Sequence, residues 1–319
     1  MEGTGNEPGA GGDRPASPWR RFGRRLRRLL TTTQLLVIGL LFLAGISGAI
    51  LGTPSIVWQL LLFPAVAGGF DLLLSGLRYG QLRVPWSGIA TGLFLALLLP
   101  PASDGLVGSG TNLLLAGAFG CLFGILGKHL IRVRGHPVFN PAASSLLLMA
   151  ALWRITPAWW GAVSLPAVLA VGALIAIRSP RRSVIALSFF GAYAVIESLQ
   201  RIQLQGVAGP GVLLLGVADP SILFFTLLLA VEPRSAPSGP RWYAAYGLAM
   251  GFLAGGVGIL AGAGNALLAS ESLLVGLVLA NLLALILRVS VAAPRSTPSA
   301  SPGGGPLARA FQPRRGPAP

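Results

Sequence analysis

Nine carboxylates are spread over 319 residues, and six of them fall between residues 31 and 290. A carboxylate inside an apolar run is costly to bury, so each such residue is a candidate for function. Asp71 sits in VAGGFDLLL beside Gly68 and Gly69, with no cation assigned to it. Asp219 lies in a second apolar run and precedes Pro220, so its alternative role is to cap a helix start. Glu197 and Glu271 fall near the outer ends of apolar runs, within reach of water. Carboxylates of this kind suit movement of Na⁺ or H⁺ if they face the interior of a helix bundle.

A second constellation lies in GHPVFNPAASSLLL, residues 135–148. Asn140 is a good N-cap, and Pro141 suits the first helical position, where its missing N–H costs nothing. Plain punctuation explains the pair. The same geometry also turns a positive helix end toward Lys128, His129, Arg132, Arg134 and His136, which suits a phosphate, an electron-rich ring carbonyl or a partner surface. Both readings stand at the level of sequence. The two histidines are seven residues apart with no carboxylate or cysteine nearby, so they make no metal site and read as loop residues at a lipid or partner surface. The single cysteine, Cys121, reads as a small buried hydrophobe. No Ser-His-Asp set, CxxC, Walker loop or dinucleotide fingerprint is present, so the chain carries no self-contained catalytic site.

The elements that must position these residues follow from composition. Just over half the residues are apolar, a tenth are charged, and the mean hydropathy is +0.73. Apolar runs long enough to cross hydrocarbon recur along the chain, which reads as an all-α, polytopic membrane protein of about ten transmembrane helices. The net charge of +15 comes from residues in the tails and between apolar runs, without aromatic interleaving. It points to a lipid bilayer and away from nucleic acid. Residues 1–30 read as a disordered basic cytoplasmic tail, ending in WRRFGRRLRRLL, which suits anionic lipid and is expected to stay in the mature protein. Residues 31–292 form the transmembrane domain, and 293–319 a second disordered cytoplasmic tail.

The expected spans are 33–52, 55–76, 86–103, 112–133, 140–156, 157–177, 181–200, 208–232, 241–263 and 271–290. With both termini cytoplasmic, 22 of the 24 basic residues fall inside and only Arg154 and Arg201 outside. One missed helix would invert everything downstream, so the positive-inside rule supports the count. Ten spans divide into two five-helix units, about 33–156 and 157–290. The third and eighth spans each close on proline, and each is followed by a Gly-rich span, AGAFGCLFGILG or YGLAMGFLAGGVGILAGAG. Five helices per unit is odd, so the second unit is inverted, an arrangement typical of transport folds.

Three stretches, GKHLIRVRGHPVFNPAA, FFTLLLAVEPRSAPSGPRWYAAYGLAMG and SESLLVGLVLANLLALILR, resemble the NqrB/RnfD family, which comprises membrane subunits of the sodium-translocating NADH:quinone reductase and of the Rnf complex. The matching motifs are Leu99-Pro100-Pro101, Gly127-Lys128, Phe139-Asn140-Pro141-Ala142 and the closing Ala280-Asn281-Leu282, in order over about residues 86–290. The family's T-D-P appears as Val231-Glu232-Pro233, a longer acid that adds Glu232 to Asp71 and Asp219 as a candidate for the ion pathway. The resemblance implies a non-catalytic subunit of a redox-driven electron-transport complex of the plasma membrane. Such a subunit couples electron transfer to cation transport and works with other membrane or peripheral subunits. It also implies a non-covalent flavin, FMN or riboflavin, held near Asn140, Pro141, Lys128 and Arg134. A covalent flavin is not expected, because the family's D-G-x-S-G-A-T loop is replaced by LWRITPAWWGAV, residues 152–163. Thr111, closing DGLVGSGT in a different loop, is a weak candidate anchor. Losing the flavin loop leaves two other readings open, a stand-alone transporter or channel on the same scaffold and a membrane anchor for a soluble reductase.

Overall fold

The computed structural model describes residues 30–54, 56–80, 82–101, 106–107, 111–133, 135–205, 219–230, 240–262 and 271–290. Ten helices account for most of them: α1 (Thr32–Leu51), α2 (Ile56–Tyr79), α3 (Trp86–Leu98), α4 (Leu113–Leu130), α5 (Pro141–Trp153), α6 (Leu165–Arg178), α7 (Pro180–Gln205), α8 (Pro220–Phe224), α9 (Pro240–Gly262) and α10 (Ser272–Ser290). One helix lies in each expected range. Five of them, α1, α2, α4, α7 and α9, are long and apolar enough to cross a membrane, and the other five are shorter apolar helices. Large side chains such as Leu61, Leu77 and Leu260 stand outward at 60 %, 77 % and 81 % exposure. Such an apolar exterior suits lipid rather than water, and marks the chain as a membrane protein.

Local chemistry sets the helix ends. Thr31 and Gln34 form a reciprocal capping box at α1, and Gly52 ends it in the left-handed region at φ +63°. Asn112 accepts from the Leu114 and Leu115 amides to start α4. Three expectations need correcting. The third span stops at Leu98 rather than 103, because Pro100 and Pro101 withhold amide donors and Pro100 bars helical geometry at Leu99, which is extended at ψ 152°. The sixth starts at Leu165 rather than 157, since 154–164 forms a loop with a 3₁₀ turn, Trp160–Ala162. The all-α reading omitted two short antiparallel hairpins, β1 (Leu106–Val107) with β2 (Thr111–Asn112) and β3 (Arg132–Val133) with β4 (His136–Pro137).

The core is organised on α3, in which eleven of 13 residues are buried. It packs on α1, α2, α4, α5 and the 3₁₀ turn. Two of its last carbonyls are engaged from outside the helix: Gln59 Nε2 and Trp160 Nε1 donate to Ala96 O at 2.9 and 2.7 Å, and the Ala158 amide donates to Leu98 O at 2.7 Å. Close helix approach requires glycine here. A Cβ at Gly92 would stand 2.4 Å from Phe63 O, and one at Gly117 would stand 2.0 Å from the Phe63 ring. In the second half, α9 meets α7 through Gly247, Gly251 and Gly255 in the same way. Across the halves, α1 packs on α6 and α5 on α10. Beyond Phe224, α8 continues as a π-helical turn, Phe225–Leu229, with the Phe225 ring against Trp159 and Phe189.

Candidate functional site

Asp71 lies two turns before the end of α2 and is buried, with 4 % exposure. Lys128, in the last turn of α4, places Nζ 2.8 Å from both carboxylate oxygens. The next residue, His129, brings Nε2 to 2.7 Å from Oδ1. Both partners are themselves buried. Asp71 thus has two donors from one helix turn, correcting the expectation that it stood without a cation beside Gly68 and Gly69.

Three elements build this cluster. Helix α2 supplies Asp71, and helix α4 ends on adjacent Lys128 and His129. Helix α3 closes the third side with its first turn: a Cβ at Gly88 would lie 2.6 Å from the Asp71 Cβ and 3.0 Å from Oδ2. Only glycine lets the start of α3 come so near, and a helix start is where a negative charge is best placed. The Ser87 hydroxyl on the same turn is buried without a hydrogen-bond partner among the described residues, and so is His129 Nδ1. Below the cluster, Arg78 Nη1 donates to His129 O. Arg132 on β3 donates to the Tyr79 hydroxyl and to Gly135 O. The β3–β4 hairpin, turning at Gly135 with φ +82°, is thereby tied to the end of α2.

With a neutral imidazole the cluster carries one negative and one positive charge, on Asp71 and Lys128. A carboxylate only accepts, so the 2.7 Å contact requires a hydrogen on His129 Nε2, and the neutral ring then has a bare Nδ1. A fully buried pair at hydrogen-bond distance is costly to create and more costly to break from one side. Such a cluster can brace two helices, and it can also take up or pass a proton.

Other sequence candidates have different surroundings. Asn140 is 1 % exposed, its Oδ1 accepts from the Ala142 and Ala143 amides at 3.0 and 3.1 Å, and its Nδ2 donates to Leu229 O at 3.3 Å. Three of the four hydrogen-bonding positions of its side chain are engaged inside the protein. Pro141 is buried beside it and has no N–H to offer. Lys128, expected next to Asn140, faces Asp71 instead. Of the residues expected around a flavin, Asn140 and Lys128 thus have protein partners of their own. Arg134 and Glu232 lie outside the described residues, as does the side chain of Thr111. Asp219 is exposed and caps α8, accepting from the Ser221 amide at 2.7 Å. Glu197 is paired with Arg201 one turn on at 2.9 Å. Glu271, expected to reach water, is 2 % exposed.

His129 is the residue that sequence reasoning missed. A usable signal was present: α2 and α4 both end on basic residues, Arg78 and Lys128-His129, so the end of α4 was a source of a cation for Asp71. Among the described residues, no three His, Cys, Asp or Glu side chains gather as a metal site. No family model matches the chain, and no curated protein matches it.

Proposed function

We propose that this chain is a multi-pass plasma-membrane protein that moves a cation through its helix bundle, as the membrane subunit of a redox-driven electron-transport complex. The observation that carries the transport part is the Asp71 carboxylate, buried among α2, α3 and α4 and held by Lys128 and His129. Ionisable residues at such depth are rare and usually belong to ion or proton paths. The redox part rests on the ordered motifs around Lys128, Asn140 and Asn281.

The reading includes ten spans as two inverted repeats with both termini inside. It is supported by matched details in the two halves. Helices α3 and α8 each carry a threonine six residues after a proline, Pro85 to Thr91 and Pro220 to Thr226, and each hydroxyl donates back to the carbonyl four residues earlier. The glycine faces of α4 and α9, and the pairing of α1 with α6 and α5 with α10, support the same reading.

A stand-alone transporter is favoured by one observation. The 154–164 connection, where the resembling family presents its flavin loop, is packed onto α3 through Trp160. Purification from the native membrane separates the two readings. A flavin spectrum or a co-purifying reductase is the expected result, and a colourless, solitary protein would overturn the redox part. For transport, Asp71→Asn in proteoliposomes should insert normally and lose cation movement. Unchanged movement would remove Asp71 from the path.

A further inference from the structure

We infer that the Asp71 site takes a proton rather than a metal cation, and that His129 is the relay by which the proton reaches it. The inference rests on the transport reading of the same cluster and names the ion. Na⁺ needs several oxygen ligands around one point, yet both oxygens of Asp71 are already occupied by an ammonium at 2.8 Å, and Oδ1 also by the imidazole. A metal cation would have to displace a lysine of equal charge. A proton needs no such displacement.

The relay follows from the two ring nitrogens. Nε2 carries its hydrogen toward Asp71 Oδ1 at 2.7 Å, while Nδ1 is buried with no partner among the described residues. A proton arriving on Nδ1 converts the ring to imidazolium. Transfer of the Nε2 hydrogen to Oδ1 then yields a neutral carboxylic acid and a neutral ring with its hydrogen on Nδ1. One proton enters at Nδ1, one N–H bond is exchanged for an O–H bond, and no electrons move. The remaining neighbours set the direction. Lys128 beside Asp71, Arg78 on the His129 carbonyl and Arg132 on the hairpin are all cationic, α3 presents only the Ser87 hydroxyl, and His136 is exposed outside the cluster. Protonating Asp71 removes the carboxylate to which Lys128 Nζ donates at 2.8 Å. The loaded site is therefore the less stable one and is primed to release.

With two histidines in the chain, His136→Gln at an exposed position leaves His129 as the only imidazole. The test uses the full chain in lipid nanodiscs, with ¹⁵N-labelled imidazole followed by NMR. At neutral pH the spectrum should show a protonated Nε2 and a bare Nδ1. Acidification should protonate Nδ1, with the same course in sodium as in potassium chloride. Asp71→Leu, which leaves no acceptor for Nε2, should abolish the tautomer preference. A sodium-specific change in the wild-type His129 signals would assign the site to a metal cation. An Nδ1 that stays bare until the protein unfolds would make the cluster a static brace. Either result overturns the relay. Flux in proteoliposomes containing the intact complex tests the parent reading separately: sodium movement without proton movement refutes this inference alone, and absence of both refutes transport.

Discussion

Replacing Lys128 by methionine removes the ammonium while keeping the length and most of the volume of the side chain. Asp71 then remains at 5 % side-chain exposure with a single neutral imidazole N–H as its donor. Breaking a buried pair from one side costs about 3–5 kcal/mol, because the desolvation of the remaining charge is no longer offset. Adding Asp71→Asn removes that charge, and the amide can still accept from His129 Nε2. The double variant should therefore regain much of the loss, with a coupling of about 2–3 kcal/mol between the two positions. The assay is thermal unfolding of the detergent-solubilised full chain, followed by the fluorescence of its seven tryptophans. The expected order of stability is wild type, then the double variant, then Lys128→Met. A single variant as stable as wild type would refute the reasoning, and so would losses that simply add. Either result would mean that the carboxylate of Asp71 reaches water or another cation, and is not held by Lys128.

Gly92→Ala should destabilise by about 1–3 kcal/mol, because its Cβ would meet backbone atoms, Phe63 O at 2.4 Å and Pro64 Cα at 2.5 Å, that cannot rotate away. Gly45→Ala, with open space around it, should be harmless in the same unfolding assay. Asn140→Ser keeps a capping oxygen and should cost about 1 kcal/mol, whereas Asn140→Asp should be the worse variant despite being an equally good cap. It replaces the donor to Leu229 O by a second acceptor at a site of 1 % exposure. Equal stability of the two would show that the Leu229 contact contributes nothing. In a Cys121→Ala background, single cysteines at Gly80, Gly135 and Ser238 should be shielded from an impermeant thiol reagent in intact cells, while one at Gly108 reacts. Labelling at Gly135 from outside would overturn the span count.

The helices were legible because each is announced by a local signal. Apolar length separates them, and Asn112, Asn140 and Asp219 cap the starts of α4, α5 and α8 through their own side chains. What sequence left open lies where apolar composition continues past a helix end. Residues 157–164 are as apolar as a span, yet Trp159 adopts a left-handed conformation at φ +51°, and the following turn serves the end of α3. That requirement is set by carbonyls about sixty residues earlier, and no window on residues 157–164 contains it.

The site was legible in the same partial way. Depth alone singled out Asp71, since the cost of burying a carboxylate can be read from one segment. Its partners depend on which helices are neighbours, and hydropathy is silent on that. Lys128 and His129 were assigned to the surroundings of Asn140 because they are close to it in sequence. The folded chain sends them to α2 instead, across a separation of 57 and 58 residues. The glycine that allows it is Gly88, where a Cβ would lie 2.6 Å from the Asp71 Cβ. The same displacement changes the surroundings of the Asn-Pro pair. Lys128 is drawn to Asp71, and the Asn140 amide ties the start of α5 to Leu229 O in the turn after α8. The ionisable chemistry sits one helix away, in the wedge of α2, α3 and α4.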